Sequence, residues 1–588
     1  MVGVSSEPGQ APAPPGGSRP QRLRAPAART AGAAGVGVAA AAAAVALGEL
    51  VSAFTGPASA PALAVGSAAI DLTPTALKEY AVRTFGTDDK PVLLGGIYLT
   101  LTALAVLAGL IAVRRPRAGA AMFAVFGGVG AWAAMSRSTA GLSYLLPSLA
   151  AGLGGAAVLV LLTGRYRRAL PAGPPPGPAA VADSAPAPDA AAEPGDAPAP
   201  GDAPAPGDAP APGDAPAPGD APAPGDAPAP VRPDRRQFLI ATGGTVALAA
   251  AVGWAGRSLS QSRNDISAAR LAVRIPPPAR AATALPAAVH PGVPGLSPFV
   301  TPNADFYRVD TALTLPKIDP DRWSLRIHGL VDRPLLISFD ELLRLPLEEL
   351  DHTMSCVSNE VGGPYVGTTR WLGAALPALL RSAGVRAGAD QLVGRSQDGM
   401  SIGTPLESVL DGRRALLAVA MNGETLPVAH GFPCRTVVPG FYGYTSATKW
   451  LTDLEVTTFA RYDPYWVRRG WDRTGAVRTA SRIEVPAGFA RIPAGTVTVA
   501  GTAWATHRGV AAVEVRVDDG PWAEATPAAD AGPDLWRQWS HEWTGARPGT
   551  HTIQVRATDT SGAVQPEARA APFPSGSTGW HSTVVTVV

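Results

Sequence analysis

Histidine is missing from the first half of this 588-residue chain: all eight stand at or after His290. The N-terminal half therefore has no imidazole with which to ligate a haem or a membrane-embedded metal. Cysteine is nearly absent, with only Cys356 and Cys434. That excludes a disulfide framework, although a single bridge would suit an oxidising compartment. A marked excess of positive or negative residues is lacking as well. The net charge is +2, so bulk electrostatics give no reason to expect a nucleic-acid partner. Aromatics are only 6% of residues, and most tryptophans fall after residue 320, where a compact core is expected.

What is plentiful before residue 235 is Ala, Gly and Pro, the composition of membrane spans and linkers. Residues 1–29 read as a disordered cytoplasmic tail. Residues 30–168 hold four apolar runs, near 30–54, 92–113, 118–136 and 142–164, each close to the roughly 17–25 residues that cross a bilayer. Glu49, at the outer end of the first, reads as an interfacial carboxylate. Arg114, Arg115 and Arg117 separate the second and third runs, and Arg165, Arg167 and Arg168 follow the fourth. The positive-inside rule then puts the N-terminus and the chain after span four in the cytoplasm. The loop from 57 to 91 carries mixed charge. Residues 169–233 form a Pro/Ala/Gly/Asp linker with six copies of Gly-Asp-Ala-Pro-Ala-Pro, read as an extended tether. Residues 234–256 begin Asp234-Arg235-Arg236-Gln237-Phe238-Leu239 and continue as a fifth apolar run. The arginine pair is a further positive-inside signal, and it also resembles a twin-arginine export motif. Five spans place everything after 257 outside the cytoplasm.

Residues 257–475 read as a mixed α/β domain. Trp323 to Gly329 alternates like a strand. Ser338 caps a short helix with Glu341 three residues on. Trp371 to Ala383 reads as a helix kinked at Pro377 and ending at Gly384. Ala415 to Met421 is a buried strand leading into an Asn422-Gly423 turn. From 476 to 588, short alternating strands indicate an immunoglobulin-like sandwich.

Four separated stretches of the α/β segment resemble the molybdopterin-binding domain of the sulfite oxidase family. They are Phe306-Tyr-Arg-Val-Asp310, Ser355-Cys-Val-Ser-Asn359, Met421-Asn-Gly-Glu-Thr-Leu-Pro427, and His430-Gly-Phe-Pro-Cys-Arg-Thr-Val-Val-Pro-Gly440 with Lys449-Trp450 beyond. The resemblance implies an oxidoreductase carrying a molybdenum–molybdopterin cofactor and performing oxygen-atom transfer. Cys356 would be the protein ligand to the metal, where a soft thiolate is suited. Phe306, Tyr307, Arg308, Asn359, His430, Arg435, Thr448 and Lys449 would hold the cofactor, whose anionic tail calls for cationic and amide partners. Cys434 reads as core packing. The terminal sandwich resembles the family's dimerisation domain and implies a homodimer.

The sequence also departs from the family. Glu360 and Val361 stand where sulfite oxidases carry two arginines, the second an anion ligand. Trp471 stands at the place of their active-site tyrosine. The metal cradle thus reads as retained and the substrate pocket as altered, with Arg308, Cys356 and Trp471 as catalytic candidates. Sulfite turnover with weak affinity is expected. The alternatives are a sulfoxide or N-oxide reductase and a non-catalytic cell-surface binding protein. A separate electron-transfer partner is expected, and no haem in this chain.

Overall fold

The computed structural model describes residues 24–85, 88–137, 140–170, 235–263 and 265–588. The proline-rich repeats and the first 23 residues lie outside that range. Seven helices build the N-terminal module: α1 (Arg24–Thr55), α2 (Pro61–Leu72), α3 (Thr75–Phe85), α4 (Asp89–Arg114), α5 (Pro116–Met135), α6 (Leu145–Ala169) and α7 (Arg235–Arg263). Five of them, α1 and α4 to α7, are long and apolar enough to cross a membrane. Helix α1 begins within the segment expected to be a disordered tail. Alanine is the residue that costs a helix least. Small residues also let backbones meet, as in membrane helix pairs. A Cβ on Gly37 would fall 1.9 Å from Ala105 O of α4, and one on Gly127 would fall 3.0 Å from Gly152 Cα of α6. The arginine pair opens α7, which packs along α1.

The loop between α1 and α4, read from sequence only as a mixed-charge connection, contains α2 and α3. It packs on the α/β domain. Lys90 Nζ meets Asp310 Oδ1 at 2.8 Å, and Asp71 accepts from Tyr465 Oη at 2.9 Å and through its carbonyl from Arg469 Nη2 at 3.0 Å. Arg137, between α5 and α6, donates to Asp398 O at 2.8 Å. The α1–α4 and α5–α6 connections therefore lie on the same side as the catalytic segment.

The α/β domain is built on two sheets. Its strands are β1 (Ser324–Gly329), β2 (Leu335–Ser338), β3 (Leu347–Ser355), β4 (Val366–Ala375), β5 (Gln391–Ser396), β6 (Ser401–Pro405), β7 (Leu416–Met421), β8 (Glu424–Thr425), β9 (Arg435–Val437) and β10 (Leu451–Thr457). One sheet runs β2-β1-β10-β5-β6; the other runs β3-β4-β7-β8, with β9 added on β7. Leu325, Ile327, Leu342, Leu376, Leu417 and Leu454 fill the space between them, together with Cys434. The Ser338 capping box forms as expected. Asn422 (φ 52°) and Gly423 (φ 80°) make the left-handed turn between β7 and β8.

One expected element is corrected. Trp371 to Ala375 is strand, and the helix begins only at Leu376. Pro377 sits in its first turn, where a missing N–H costs nothing, so it starts the helix rather than kinking it. Pairing of β4 with both β3 and β7 outweighs the local helical pattern.

The terminal domain has sheets of four and five strands around Val499, Val513, Trp539, Ile553, Val555 and Val585. It is a sandwich, as the alternation predicts. Thr353 of β3 is tied to it, its N–H donating to Asp534 O at 2.9 Å and its hydroxyl accepting from Trp536 N at 2.7 Å.

Candidate active site

Strand β3 ends at Ser355, and Cys356 opens the loop that leads back to β4. The Cys356 N–H donates to Tyr365 O at 2.9 Å, and its carbonyl accepts from Asn359 N at 3.1 Å. Asn359 Oδ1 accepts from Tyr365 N at 2.8 Å, so this side chain closes the loop on itself. A Cβ at Gly363 would stand 2.7 Å from that oxygen, so the loop needs glycine there. The thiol is thereby fixed, half-buried, at a cavity wall. Burial raises its pKa, while the Ser358 N–H and hydroxyl and the Lys449 charge pull it back.

The cavity is about 800 Å³ in volume and unites residues from all three modules. Phe306, Tyr307, Cys356, His430, Arg435, Lys449 and Trp471, all expected from sequence, border it. Arg308, Asn359 and Thr448 stand behind it. Arg308 turns to Asp310, with Nε–Oδ2 at 2.8 Å. The Thr448 N–H donates to Thr436 Oγ1 at 2.8 Å, holding the Lys449 segment to β9.

Asp310 is the hub of the basic cluster. Lys449 lies 2.7 Å away, Lys90 2.8 Å and Arg308 2.8 Å. Burial alone would raise this carboxyl, but Lys449, Arg308 and Lys90 hold it far below the usual range. Burial in turn pushes Lys449 down to about 8, against the pull of Asp310. Three cations share one carboxylate, so positive charge is left over.

Arg435 is the second cationic element, and only 4% exposed. It donates to His430 O at 3.0 Å and to Met354 Sδ at 3.4 Å, and its guanidinium lies 4.8 Å from the centre of the Trp371 ring. Among the described residues no carboxylate pairs with it. Burial lowers it to about 10, which still leaves it charged at neutral pH. His430 is not a third cation. Burial and then Arg435 lower it to about 4. Its Nε2 lies 3.2 Å from Asn303 O, which can only accept, so Nδ1 is the free acceptor.

Another part of the lining is aromatic. Trp466 and Trp471 meet edge to face at 6.1 Å, and Val361 lies beside them at the cavity surface. The Trp471 Nε1–H is buried without a hydrogen-bond partner. Sequence reasoning missed Lys78 of α3, Lys90 and Leu93 at the start of α4, and Ala570, Pro572 and Ser577 from the sandwich. The mixed charge of the 57–91 loop was the one visible signal for the first group; nothing marked the second.

The description "Oxidoreductase molybdopterin binding domain" matches residues 312–466. Sulfite oxidase of Gallus gallus is 31% identical over 335 residues, which cover 48% of this chain and 72% of that protein. The chain belongs to the sulfite oxidase family. The "Uncharacterized oxidoreductase YuiH" of Bacillus subtilis is 33% identical over 157 residues, covering 27% of this chain and 76% of that one. Mitochondrial sulfite oxidase of Mus musculus is 31% identical over 343 residues, but the chain spans only 62% of its length.

A molybdenum–pterin group fits these residues. Among the described residues no cluster of three or more His, Cys, Asp or Glu side chains could hold a metal. A metal bound through the single Cys356 thiolate must take its other donors from a cofactor. The buried, carboxylate-free Arg435 and the excess charge around Lys449 suit that cofactor's anionic groups.

Proposed function

We propose that this protein is a membrane-anchored, extracytoplasmic molybdenum oxidoreductase that transfers an oxygen atom to or from a small sulfur oxyanion, sulfite being the first candidate. One observation carries the reading: Cys356 and the uncompensated Arg435 border the same cavity. When bound, the molybdenum–pterin group supplies two-electron oxygen-atom transfer. The chain positions and tunes it. Cys356 offers the thiolate, and the loop bonds of Asn359 fix its direction. Arg435 and Lys449 attract negative charge, and His430 Nδ1 offers an acceptor. Trp466 and Trp471 shape the space left for substrate. Relatives named sulfite oxidase support sulfite as that substrate, and a separate protein would carry the electrons away.

Purified full-length protein from molybdenum-replete cells should contain about one molybdenum per chain and reduce a one-electron acceptor when sulfite is added. Protein free of molybdenum would overturn the assignment. Turnover of a sulfoxide without turnover of sulfite would favour a reductase acting on a neutral substrate, a reading that the uncharged Val361 wall supports.

Orientation and assembly belong to the same proposal. The basic residues 114–117 and 165–168 support a cytoplasmic face opposite the catalytic domain. A reporter enzyme that works only after export should be active when fused at the C-terminus and silent when inserted in the 169–233 linker; the reverse pattern would invert the topology. Export of a folded, cofactor-loaded domain through the Arg235-Arg236 signal fits this orientation, and the pair replaced by lysines should leave the domain inside. The terminal sandwich supports a homodimer, which a monomer mass in light scattering of the solubilised chain would remove.

A further inference from the structure

Helix α3 sends Lys78 to the cavity that Cys356 borders. Its ammonium is buried and has no hydrogen-bond partner among the described residues. It stands 5.7 Å from the centre of the Tyr465 ring. Asp71, the carboxylate whose charge favours the Lys78 ammonium, is already engaged by Tyr465 Oη at 2.9 Å and by Arg469. Desolvation disfavours an ammonium without a hydrogen-bonded counter-ion, and such a group is suited to receive an anion.

Two anions could answer it, the cofactor's or the substrate's. The charges that act most on Lys78 are those of Arg469 and Asp71. Lys449 instead sits on Asp310, which it shares with Lys90 and Arg308. The two ammonium groups thus stand in separate electrostatic neighbourhoods of one cavity, and the cofactor's cationic cluster is the one that Lys78 does not join. Its companion is instead the aromatic wall, where the Trp471 Nε1–H also lacks an acceptor. Burial, aided by Arg469 and opposed by Asp71, lowers Lys78 to about 8, so it is still mostly charged at neutral pH. The helix that carries it is held in place at both ends of the loop, by Asp71 on the 465–469 segment and by Lys90 on Asp310.

We propose that Lys78, contributed by the membrane module, binds the substrate oxyanion, with the Trp471 indole N–H as a second donor. The proposal rests on the oxidoreductase reading above and names the specificity residue of that site. It gives the α1–α4 connection a role: it is one wall of the active site, complete only in the full chain. It also revises the expectation of weak sulfite binding, because the charge absent at Val361 is supplied from another module.

Sulfate, an unreactive oxyanion of similar shape, is the probe. Its dissociation constant should be measured calorimetrically on the detergent-solubilised, cofactor-loaded full chain as wild type, Lys78→Met and Lys78→Arg. Lys78→Met should weaken sulfate binding at least about tenfold, and Lys78→Arg should stay within about threefold of wild type. The Michaelis constant for sulfite should follow the same order, with kcat changing less than about threefold, since the ammonium binds rather than reacts. Equal sulfate affinity in wild type and Lys78→Met, or no sulfate binding by wild type, would overturn the proposal. So would loss of molybdenum from Lys78→Met, which would assign the ammonium to the cofactor. If sulfate binding depends on Lys78 while no variant oxidises sulfite, the anion site stands and the oxidoreductase reading falls.

Discussion

Cys356→Ser should fold, keep its pterin, and lose at least about a thousandfold in oxygen-atom transfer, about 4 kcal/mol in the transition state. Serine preserves the side chain's size and the loop bonds to Tyr365 and Asn359, which run through the backbone. What it removes is the soft sulfur donor; the alkoxide it could offer is harder and far more basic. The cationic residues that suit the cofactor, Arg435 and Lys449, are untouched. Pterin fluorescence after denaturation should therefore match wild type while turnover collapses. Cys434 is the internal control. It is fully buried in the apolar core between the two sheets, and that burial pushes its thiol far up. Cys434→Ser places a hydroxyl there and should cost about 1–3 kcal/mol of stability with turnover per loaded enzyme unchanged. Full activity in Cys356→Ser would remove the residue on which the functional reading depends.

Arg435→Met should empty the site without harming the fold. Arg435 is buried with carbonyl, thioether and ring contacts but no carboxylate. A lone buried cation is an expense that the apoprotein bears for a ligand. Methionine is close in length and apolar, so the cofactor-free variant should melt no lower than cofactor-free wild type. Molybdenum per chain, measured by mass spectrometry, should fall to about a tenth or less, because the charge-assisted contacts to the anionic cofactor are gone. Both readings are needed together. Normal molybdenum content would show that the cofactor's charge is met elsewhere, and a large drop in apoprotein melting temperature would show that Arg435 is structural.

Much of this was legible in the chain itself because it was local. The five apolar helices follow from run length and flanking arginines. The capping box at Ser338, the turn at Asn422-Gly423 and the strand alternation of the sandwich each depend on residues within a few positions of one another. The cysteine loop was legible too, since Cys356 and Asn359 are three apart and the loop closes by its own hydrogen bonds.

What only tertiary structure decided is everything that depends on distant partners. Trp371 to Ala375 became strand because β3 and β7 offer hydrogen bonds on both sides, which no local pattern records. The pairing of Arg308 with Asp310, a carboxylate it shares with Lys90 and Lys449, joins residues that are distant in the chain. His430 lost its charge because burial beside Arg435 makes a second cation too costly. The N-terminal helical module proved to be part of the cavity: Asp71 lies nearly four hundred residues from Arg469 in sequence, yet the two are joined by a 3.0 Å hydrogen bond. Sequence determines which groups are available and which of them are neighbours along the chain. Packing determines which charges are left without a counter-ion, and among the described residues Arg435 and Lys78 are two such cations on the cavity.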